Sequence, residues 1–460
     1  MKSTANMKTS LGDIREAVGS GFWFVPGLMM LGAAGAAYLL VWADETIDPQ
    51  RVGLFGYLIA TDLDGARVLL SSIASSIISV AGVVFSITVV VLSVASGQLG
   101  PRLLRSFMRL RTTQYSLGAF TATFLFCLLL LVRLQVAEEG GFTPHASVSF
   151  AVLLAIACLC ILVFYIHHVA LYIQADTVIR SVSSELDDTI EAIYPDPLDE
   201  YPVDLADGIE PHSPVDSPPS GSATAAHEGY VQRIDTRALV QLATSEDLLI
   251  SLRVRPGAFV IQDAPLATVW PAERVTDAVN AKINEAIGLG ERATPEEDAE
   301  FAIGQLVEVA VRALSPGIND PFTAMACVDR LASALGKLLN RKFPSPHHHD
   351  ESERLRLVTM PASFGDLLDA SFDEIRRNAR GTVPVVRRML GSLALLAPLV
   401  RRQEDGRALA RHVHEIRDSL DATGLKRERD TLDAQCERIL AEIEDRPAQA
   451  SRQTVDARSA

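Results

Sequence analysis

Four long stretches that lack charged residues constrain the fold of this chain more than any other feature, and all of them lie before Asp176. A helix needs about 20 mostly apolar residues to cross the hydrocarbon layer of a membrane. The stretches are Phe22–Trp42, the residues between Arg67 and Arg102, those between Arg111 and Arg133, and those between Glu139 and Asp176. The sequence therefore predicts an α-helical membrane domain of four transmembrane helices over residues 22–175, preceded by a short N-terminal segment, residues 1–21.

The charges between these stretches predict how the chain crosses the membrane. The connection between the second and third stretches carries Arg102, Arg105, Arg109 and Arg111 and no acidic residue. The connection between the first and second is dominated by acidic residues. Because lysine and arginine in short loops mark the cytoplasmic side, we expect a multi-pass protein of the bacterial inner membrane with both termini in the cytoplasm. Arg102, Arg105 and Arg109 would share one face of a helix, so we expect them to contact lipid headgroups.

The second apolar stretch has a row of small residues at steps of mostly three and four, which places them on one side of a helix. The row consists of Ser72, Ser75, Ser79, Gly82, Ser86, Ser93 and Gly97. Small residues permit close packing of membrane helices, which is the favoured interpretation. The alternative is that several copies of the chain line an aqueous path with this row. We expect a homo-oligomer.

The C-terminal part reads as an acidic, water-soluble region. An amphipathic stalk helix is predicted from residue 176 to about Tyr194, followed by a Pro-, Ser- and Asp-rich tether that ends at Gly229. Short β-type runs then predict a small β-rich module over residues 230–270, so the fold expected for the cytoplasmic region is α+β. Residues 271–446 predict a helical bundle, and residues 447–460 a disordered tail.

Within residues 271–446, one helix is expected to begin at Pro295 with Thr294 as its N-cap. Further helices are predicted over residues 321–340, 364–377, 383–402 and 407–443, the last broken at Gly424. The three adjacent histidines after Pro346 are interpreted as a solvated loop, because consecutive residues rarely point at one ion.

Several functional classes have no support in the sequence. A net charge of −15 argues against general binding of nucleic acid. The five cysteines have no metal-ligand spacing, and no cofactor, metal or catalytic motif is found. No enzyme activity is predicted, and the partners expected are membrane lipid, further copies of the chain and a possible protein partner for the cytoplasmic domain.

The heptapeptide Ser315–Pro321, SPGINDP, interrupts two helices. Pro316 prevents continuation of the first helix, and Gly317 is expected to supply a residue with positive φ. Asp320 is the expected N-cap of the second helix, with Pro321 at its first position. Asn319 is not needed for this capping, and exposed N–H groups could hold an anion. We favour a structural joint and keep Ser315, Gly317, Asn319 and Asp320 as candidate ligand-binding residues.

Two blocks resemble the bacterial membrane-protein family called domain of unknown function 2254. They are VAGVVFSITVVVLSVASGQLGPRLLRSFMRLRTTQYSLGAFTATFLFCLLLL and ERATPEED…FAIGQLVEVAVRALSPGINDPFTAMACVDRL. The resemblance spans about Trp23 to Leu395, and it implies four membrane spans with a cytoplasmic C-terminal region but no activity. The favoured functional hypothesis is a channel-like or transport-related membrane protein with a cytoplasmic regulatory domain. The alternative is a membrane-anchored sensor or scaffold whose helical domain binds a ligand or a partner protein.

Overall fold

A computed structural model describes residues 23–46, 63–99, 111–136, 145–172, 175–198, 219–294, 297–420 and 426–458. Contacts between residues divide the chain into two units, Met1–Thr177 and Val178–Ala460. Each unit has its own buried apolar core, and the two are considered in turn.

The first unit contains the four helices that the apolar stretches predict. They are α1 (Phe24–Thr46), α2 (Leu63–Leu99), α3 (Arg111–Val136) and α4 (His145–Tyr172). Each is long and apolar enough to cross a membrane. The predicted fold class, four membrane helices followed by a region of mixed sheets and helices, is confirmed.

One face of α2 holds the first unit together. The residues buried on it recur at steps of three and four, and they are Ala66, Leu70, Ala74, Ile77, Ala81, Val84, Thr88 and Val91. α3 packs against both α1 and α2, and Phe126 and Leu130 contribute its buried side chains. The hydroxyl groups of Thr88 and Tyr165 lie 2.5 Å apart and join α2 to α4.

The second unit begins within α5 (Ala175–Ile193), the helix predicted as a stalk. Its apolar face is buried as the spacing indicated, with Val182, Leu186 and Ile190 almost inaccessible to solvent. Lys337 pairs with Asp187 at 2.8 Å, which ties α5 to a later helix. From Val178 onward, α5 is therefore part of the C-terminal unit and not a separate stalk.

Two small sheets form the β part of this unit. The strands are β1 (Gly221–Thr224), β2 (Gly229–Ile234), β3 (Leu249–Leu252), β4 (Phe259–Val260), β5 (Pro265–Trp270), β6 (Ile287–Gly290), β7 (His347–His349) and β8 (Leu355–Val358). Five of them form a sheet in the order β1-β5-β3-β8-β7, and the other three form a sheet in the order β4-β2-β6.

The sheets correct four features of the sequence-based assignment. Residues 221–224, predicted as tether, pair with β5 as strand β1. The three histidines, predicted as a loop, form edge strand β7 beside β8. Helix α6 (Thr236–Ser245), which was not predicted, lies within the module predicted to be β-rich. Since β6, β7 and β8 all follow residue 270, that position does not separate sheet from helices. In each case the deciding partner is distant in sequence.

The helices of the second unit are α7 (Asp277–Ala286), α8 (Ala299–Ala313), α9 (Pro321–Leu339), α10 (Phe364–Asn378), α11 (Val383–Leu396), α12 (Gln403–Ser419) and α13 (Lys426–Arg458). Their existence agrees with the prediction, but α8 takes Asp298 and not Thr294 as its N-cap. α11 ends at Leu396, where a 3-10 turn containing Pro398 follows. Helix α13 continues to Arg458, through residues predicted as a disordered tail. The expected break at Gly424 lies outside the described residues.

Candidate functional site

A cavity of about 370 Å³ lies within the C-terminal unit. Its walls come from the end of α5, the turn after β3, the start of α8 and the two segments that flank β7 and β8. These five segments are far apart in the chain and meet only in the folded unit. Charged side chains and apolar ones contribute to the lining together, which is typical of small-molecule sites.

The turn after β3 shapes the cavity at Gly257. This glycine has a φ of +86°, a conformation that other residues rarely adopt. A Cβ atom at this position would also overlap the carboxylate of Asp298. Glycine therefore permits both the turn and the close approach of the start of α8, and Arg255 of the same turn lines the cavity.

The start of α8 supplies the acidic side chains. Asp298 caps the helix by accepting a hydrogen bond from the N–H of Phe301 at 3.1 Å. Glu300 pairs with Arg255 at 2.8 Å, and Glu297 accepts a hydrogen bond from the N–H of Ile234 at 3.0 Å. Burial raises the pKa of the Asp298 carboxyl and that of Glu300, although the Arg255 guanidinium opposes both shifts.

Tyr194, directly after the end of α5, lines the cavity. Its ring packs on Phe343 with the ring centroids 4.8 Å apart, and its exposed fraction is 3%. Burial, with a further contribution from the Glu300 carboxylate, raises the pKa of Tyr194 to about 12, so the hydroxyl stays protonated at neutral pH. No described residue forms a hydrogen bond with that hydroxyl. A buried hydroxyl in this state is available to a ligand.

Strand β7 places His348 at the edge of the cavity. Its Nε2 atom lies 3.2 Å from the hydroxyl oxygen of Thr359. Burial lowers the pKa of His348, which favours the neutral ring at physiological pH. Among the described residues, the three adjacent histidines do not form a group close enough to hold a metal ion.

The joint between α8 and α9 confirms part of the capping prediction. The carboxylate of Asp320 accepts hydrogen bonds from the N–H groups of Phe322 and Thr323, at 3.1 and 3.2 Å. It also accepts from the Thr323 hydroxyl, which is the main reason that the pKa of Asp320 is lowered. Pro321 occupies the first turn as expected.

The same joint corrects the role of two residues. Asn319, and not Gly317, has the positive φ, at 51°. Asparagine adopts this left-handed conformation more readily than most residues, so Asn319 has a structural role that the sequence did not reveal. Ser315 binds the carbonyl of Arg312 at 2.6 Å. Ligand binding by Ser315, Gly317, Asn319 and Asp320 stays a prediction, and the joint lies at the opposite end of α8 from the cavity, about 22 Å away for 15 residues.

The small residues of α2 point away from the other helices of their unit. Ser72, Ser75, Ser79, Gly82, Ser86, Ser93 and Gly97 are all exposed. A Cβ atom added at Gly82 would have no neighbour within 4 Å. Close packing of this row against α1, α3 or α4 is therefore not observed. The arginines predicted to bind lipid headgroups, Arg102, Arg105 and Arg109, lie outside the described residues.

One cluster resembles a metal site in composition. The nearest ligand atoms of Asp369, Asp373 and His412 lie within 4.8 Å of one another. The two carboxylates face different ring nitrogens, with Asp369 2.7 Å from Nε2 and Asp373 4.0 Å from Nδ1. Arg411 and Arg376 already pair with them, at 2.7 and 3.0 Å. The cluster is better described as an ion-pair network that joins α10 to α12.

The cavity residues were not identified as a site from the sequence. Among these residues, Tyr194 alone is singled out from the sequence, as the end of the predicted stalk. The Arg-Pro-Gly sequence at residues 255–257 indicates a turn, but it does not indicate the contact of that turn with the start of α8. The one local signal was the excess of carboxylates before Ala299, and it has an ordinary explanation in the helix dipole.

The four apolar helices and the mixed C-terminal unit define a polytopic membrane protein with a large α+β region outside the spans. The chain belongs to the family of predicted membrane proteins called domain of unknown function 2254, whose profile matches residues 19–395. Uncharacterized proteins of Mycobacterium bovis and Mycobacterium tuberculosis are 29% identical to it over 342 residues, which is 72% of this chain. The match spans 64% of the length of those relatives. No solved structure matches the chain.

Proposed function

We propose that this protein is a membrane-anchored sensor whose C-terminal unit binds a small ligand in the cavity at the start of α8. One observation carries the proposal: the cavity is lined by Tyr194, which directly follows α5. α5 begins at Ala175, and α4 ends at Tyr172. A ligand in the cavity thus contacts the segment of chain that leads into the fourth membrane helix.

Binding would change the state of α5. A ligand shifts an equilibrium between two conformations only by the difference in its affinity for them. Tyr194 provides such a difference if its hydroxyl hydrogen-bonds to the ligand in one conformation of α5 and not in the other. Two backbone hydrogen bonds hold the segment after α5, and a ligand could strengthen or weaken them. The N–H of Leu198 donates to the carbonyl oxygen of Asn340 at 2.8 Å, and the N–H of Lys342 donates to the carbonyl oxygen of Asp196 at 2.9 Å.

Filling the cavity tests this proposal without knowledge of the ligand. Ala362 lines the cavity, so Ala362→Trp should exclude a ligand. The matched control is Leu395→Trp, because Leu395 lies on the exposed side of α11. Native mass spectrometry of the full chain in nanodiscs should detect a small bound molecule in the wild type and the control but not in Ala362→Trp. Hydrogen exchange in α5 should be faster in Ala362→Trp alone. Equal spectra and equal exchange in all three proteins would exclude the sensor function.

A second candidate, a channel-like function, is favoured by a different observation. All seven small residues of α2 lie on the face that the other membrane helices leave uncovered. In a homo-oligomer this face would either pack against a second copy or line an aqueous path. Gly82→Leu should impair assembly in the first case. If the face lines an aqueous path, Gly82→Ser should preserve assembly and raise the conductance of the protein in liposomes. The absence of current from both the wild type and Gly82→Ser would exclude the channel.

The orientation of the protein is part of the proposal. The basic connection between α2 and α3 supports a position in the bacterial inner membrane with both termini in the cytoplasm. Under this arrangement the ligand of the C-terminal unit is cytoplasmic, and the arginines of that connection bind anionic lipid. A protein partner of the C-terminal unit would then also be cytoplasmic.

A further inference from the structure

The charge of the cavity restricts what it can bind. Among the described residues, three carboxylates line it, those of Glu297, Asp298 and Glu300, and Arg255 is the one arginine or lysine in that part of the lining. Two negative charges are therefore left without a cationic partner when all three carboxylates are ionised. An anionic ligand would be repelled, while a cationic one would replace the solvation that these groups lose on burial.

The spacing of the acidic groups disfavours a metal ion as that cation. A metal site needs at least three ligand atoms close together, and among the described residues this criterion identifies only the Asp369 cluster. The carboxylates of Glu297, Asp298 and Glu300 do not converge in that way. A cation with its charge spread over two separated groups fits better.

The rest of the lining suits an organic molecule. Ile193, Val254, Pro256, Met360 and Pro361 present apolar surface to the same space. A cavity of about 370 Å³ is within the range occupied by small organic ligands. An alkyl chain between two charged ends would cover this apolar surface.

A second observation, independent of the carboxylates, points to a ligand at this place. Tyr194 is buried to 97% of its surface, since its exposed fraction is 3%, and no described residue is recorded as a hydrogen-bond partner of its hydroxyl. The charged groups around that hydroxyl are Glu300, Asp298, Arg255 and Asp366. Because Tyr194 lines the cavity, a ligand among these charges would gain a hydrogen bond to its hydroxyl.

We propose that the cavity binds a small aliphatic diamine, with its ammonium groups paired to the carboxylates at the start of α8 and its alkyl chain against the apolar wall. The Tyr194 hydroxyl contacts one ammonium group through its oxygen. This inference rests on the proposed sensor function and names the ligand class of the same site.

Calorimetry on the full chain in nanodiscs tests the inference with matched probes. The probes are 1,4-diaminobutane and 1,6-diaminohexane, the diols and dicarboxylates of the same lengths, and magnesium chloride. A diamine should bind at least about tenfold more tightly than the diol of its length, because hydrogen bonds to charged groups are the stronger ones. Because burial raises the pKa of Asp298 and of Glu300, their protonation competes with the diamine, so binding should weaken as the pH is lowered.

Three variants and one control complete the test. Asp298→Asn keeps a capping side chain, Glu300→Gln keeps the shape, and Tyr194→Phe removes only the hydroxyl. Each should weaken diamine binding, by about tenfold or more for the two carboxylates, while the folded fraction stays the same. The control is Glu285→Gln, which removes one negative charge from an exposed position on α7 and should bind like the wild type.

The outcomes separate the ligand class from the sensor function. Binding of a diol or dicarboxylate as tightly as the diamine would overturn the diamine and leave a ligand site in place. If magnesium competes with the diamine for the cavity, the ligand would be a metal ion and not a diamine. If no probe binds while the wild type still carries a molecule that Ala362→Trp lacks, only the ligand class is wrong. If that molecule is also absent, the sensor function fails with it.

Discussion

The carboxylate of Asp44, at the end of α1, holds the start of α4 through Ser147. It accepts hydrogen bonds from the N–H of Ser147 at 2.9 Å and from its hydroxyl at 2.6 Å. A third bond comes from the N–H of Ala146, at 3.1 Å. The end of the first membrane helix and the beginning of the fourth therefore lie on the same side of their unit, as a chain with four successive spans requires.

This contact predicts that Asp44 stabilises the membrane unit, because its side chain caps N–H groups in the first turn of α4. Asp44→Ala should lower the free energy of unfolding by about 0.5–2 kcal/mol, because two N–H groups at a helix start lose their acceptor. The measurement is the melting temperature of the detergent-solubilised protein. Its control is Glu45→Ala, which changes the exposed neighbouring carboxylate. Equal melting temperatures for Asp44→Ala and Glu45→Ala would contradict the capping role.

The geometry of the joint between α8 and α9 predicts how much stability each of its variants should lose. Asn319→Ala should cost about 1 kcal/mol, because alanine is strained at a φ of 51°, and Asn319→Gly should be close to neutral. Asp320→Ala should cost about 0.5–2 kcal/mol as a lost cap. Gly317→Ala should be nearly silent, since a Cβ atom there meets open space.

Thermal melting measures this order, and a cellular complementation assay shows whether the joint also binds a ligand. Loss of complementation in Asn319→Gly with an unchanged melting temperature would reveal a role beyond structure. Retention of complementation in that variant would leave only the structural joint.

The burial of Asp405 predicts that the free energy of unfolding depends on pH. Its exposed fraction is 3%, and burial raises its pKa from 3.8 to about 6 despite a bond of 2.7 Å from Arg402. A carboxyl whose pKa is higher in the folded state stabilises the fold below its unfolded pKa, and this contribution is lost as pH rises through the folded pKa. From pH 4 to pH 6 the loss should be about 2 kcal/mol, at about 1.4 kcal/mol for each pKa unit.

The measurement is the melting temperature of the full chain between pH 4 and pH 7. Relative to Asp405→Asn, the wild type should gain stability as pH is lowered through this range. Asp430→Asn, at an exposed position on α13, should follow the wild type at every pH. Parallel curves for the wild type and Asp405→Asn would show that Asp405 does not titrate in this range.

The proposed orientation predicts which positions are reachable from outside. Single cysteines introduced at Asp48 and Gly140 should react with an impermeant thiol reagent in intact cells, after permeabilisation of an outer membrane where one exists. A cysteine at Thr112, at the start of α3, should react only after lysis, because the basic connection before it is retained in the cytoplasm. Reaction at Thr112 alone would reverse the orientation.

The features that the sequence determined are those that depend on neighbouring residues. The uncharged length of each membrane helix, the amphipathic spacing of Val182, Leu186 and Ile190, and the cap at Asp320 all arise within a few turns of one helix. Their physics is local: an apolar run has to leave water, and the first N–H groups of a helix need an acceptor. These predictions therefore agree with the structure.

Only the tertiary structure decided where distant segments meet. The three histidines became strand β7 because β8 offers an edge, and the small residues of α2 were left outside because Ala74, Ala81 and Val84 occupy its packed face. The cavity depends most on such contacts, since it brings Tyr194, Arg255 and Glu300 together from three parts of the chain. No local pattern encodes that meeting, because burial and charge pairing arise between side chains that are neighbours in space and not in sequence.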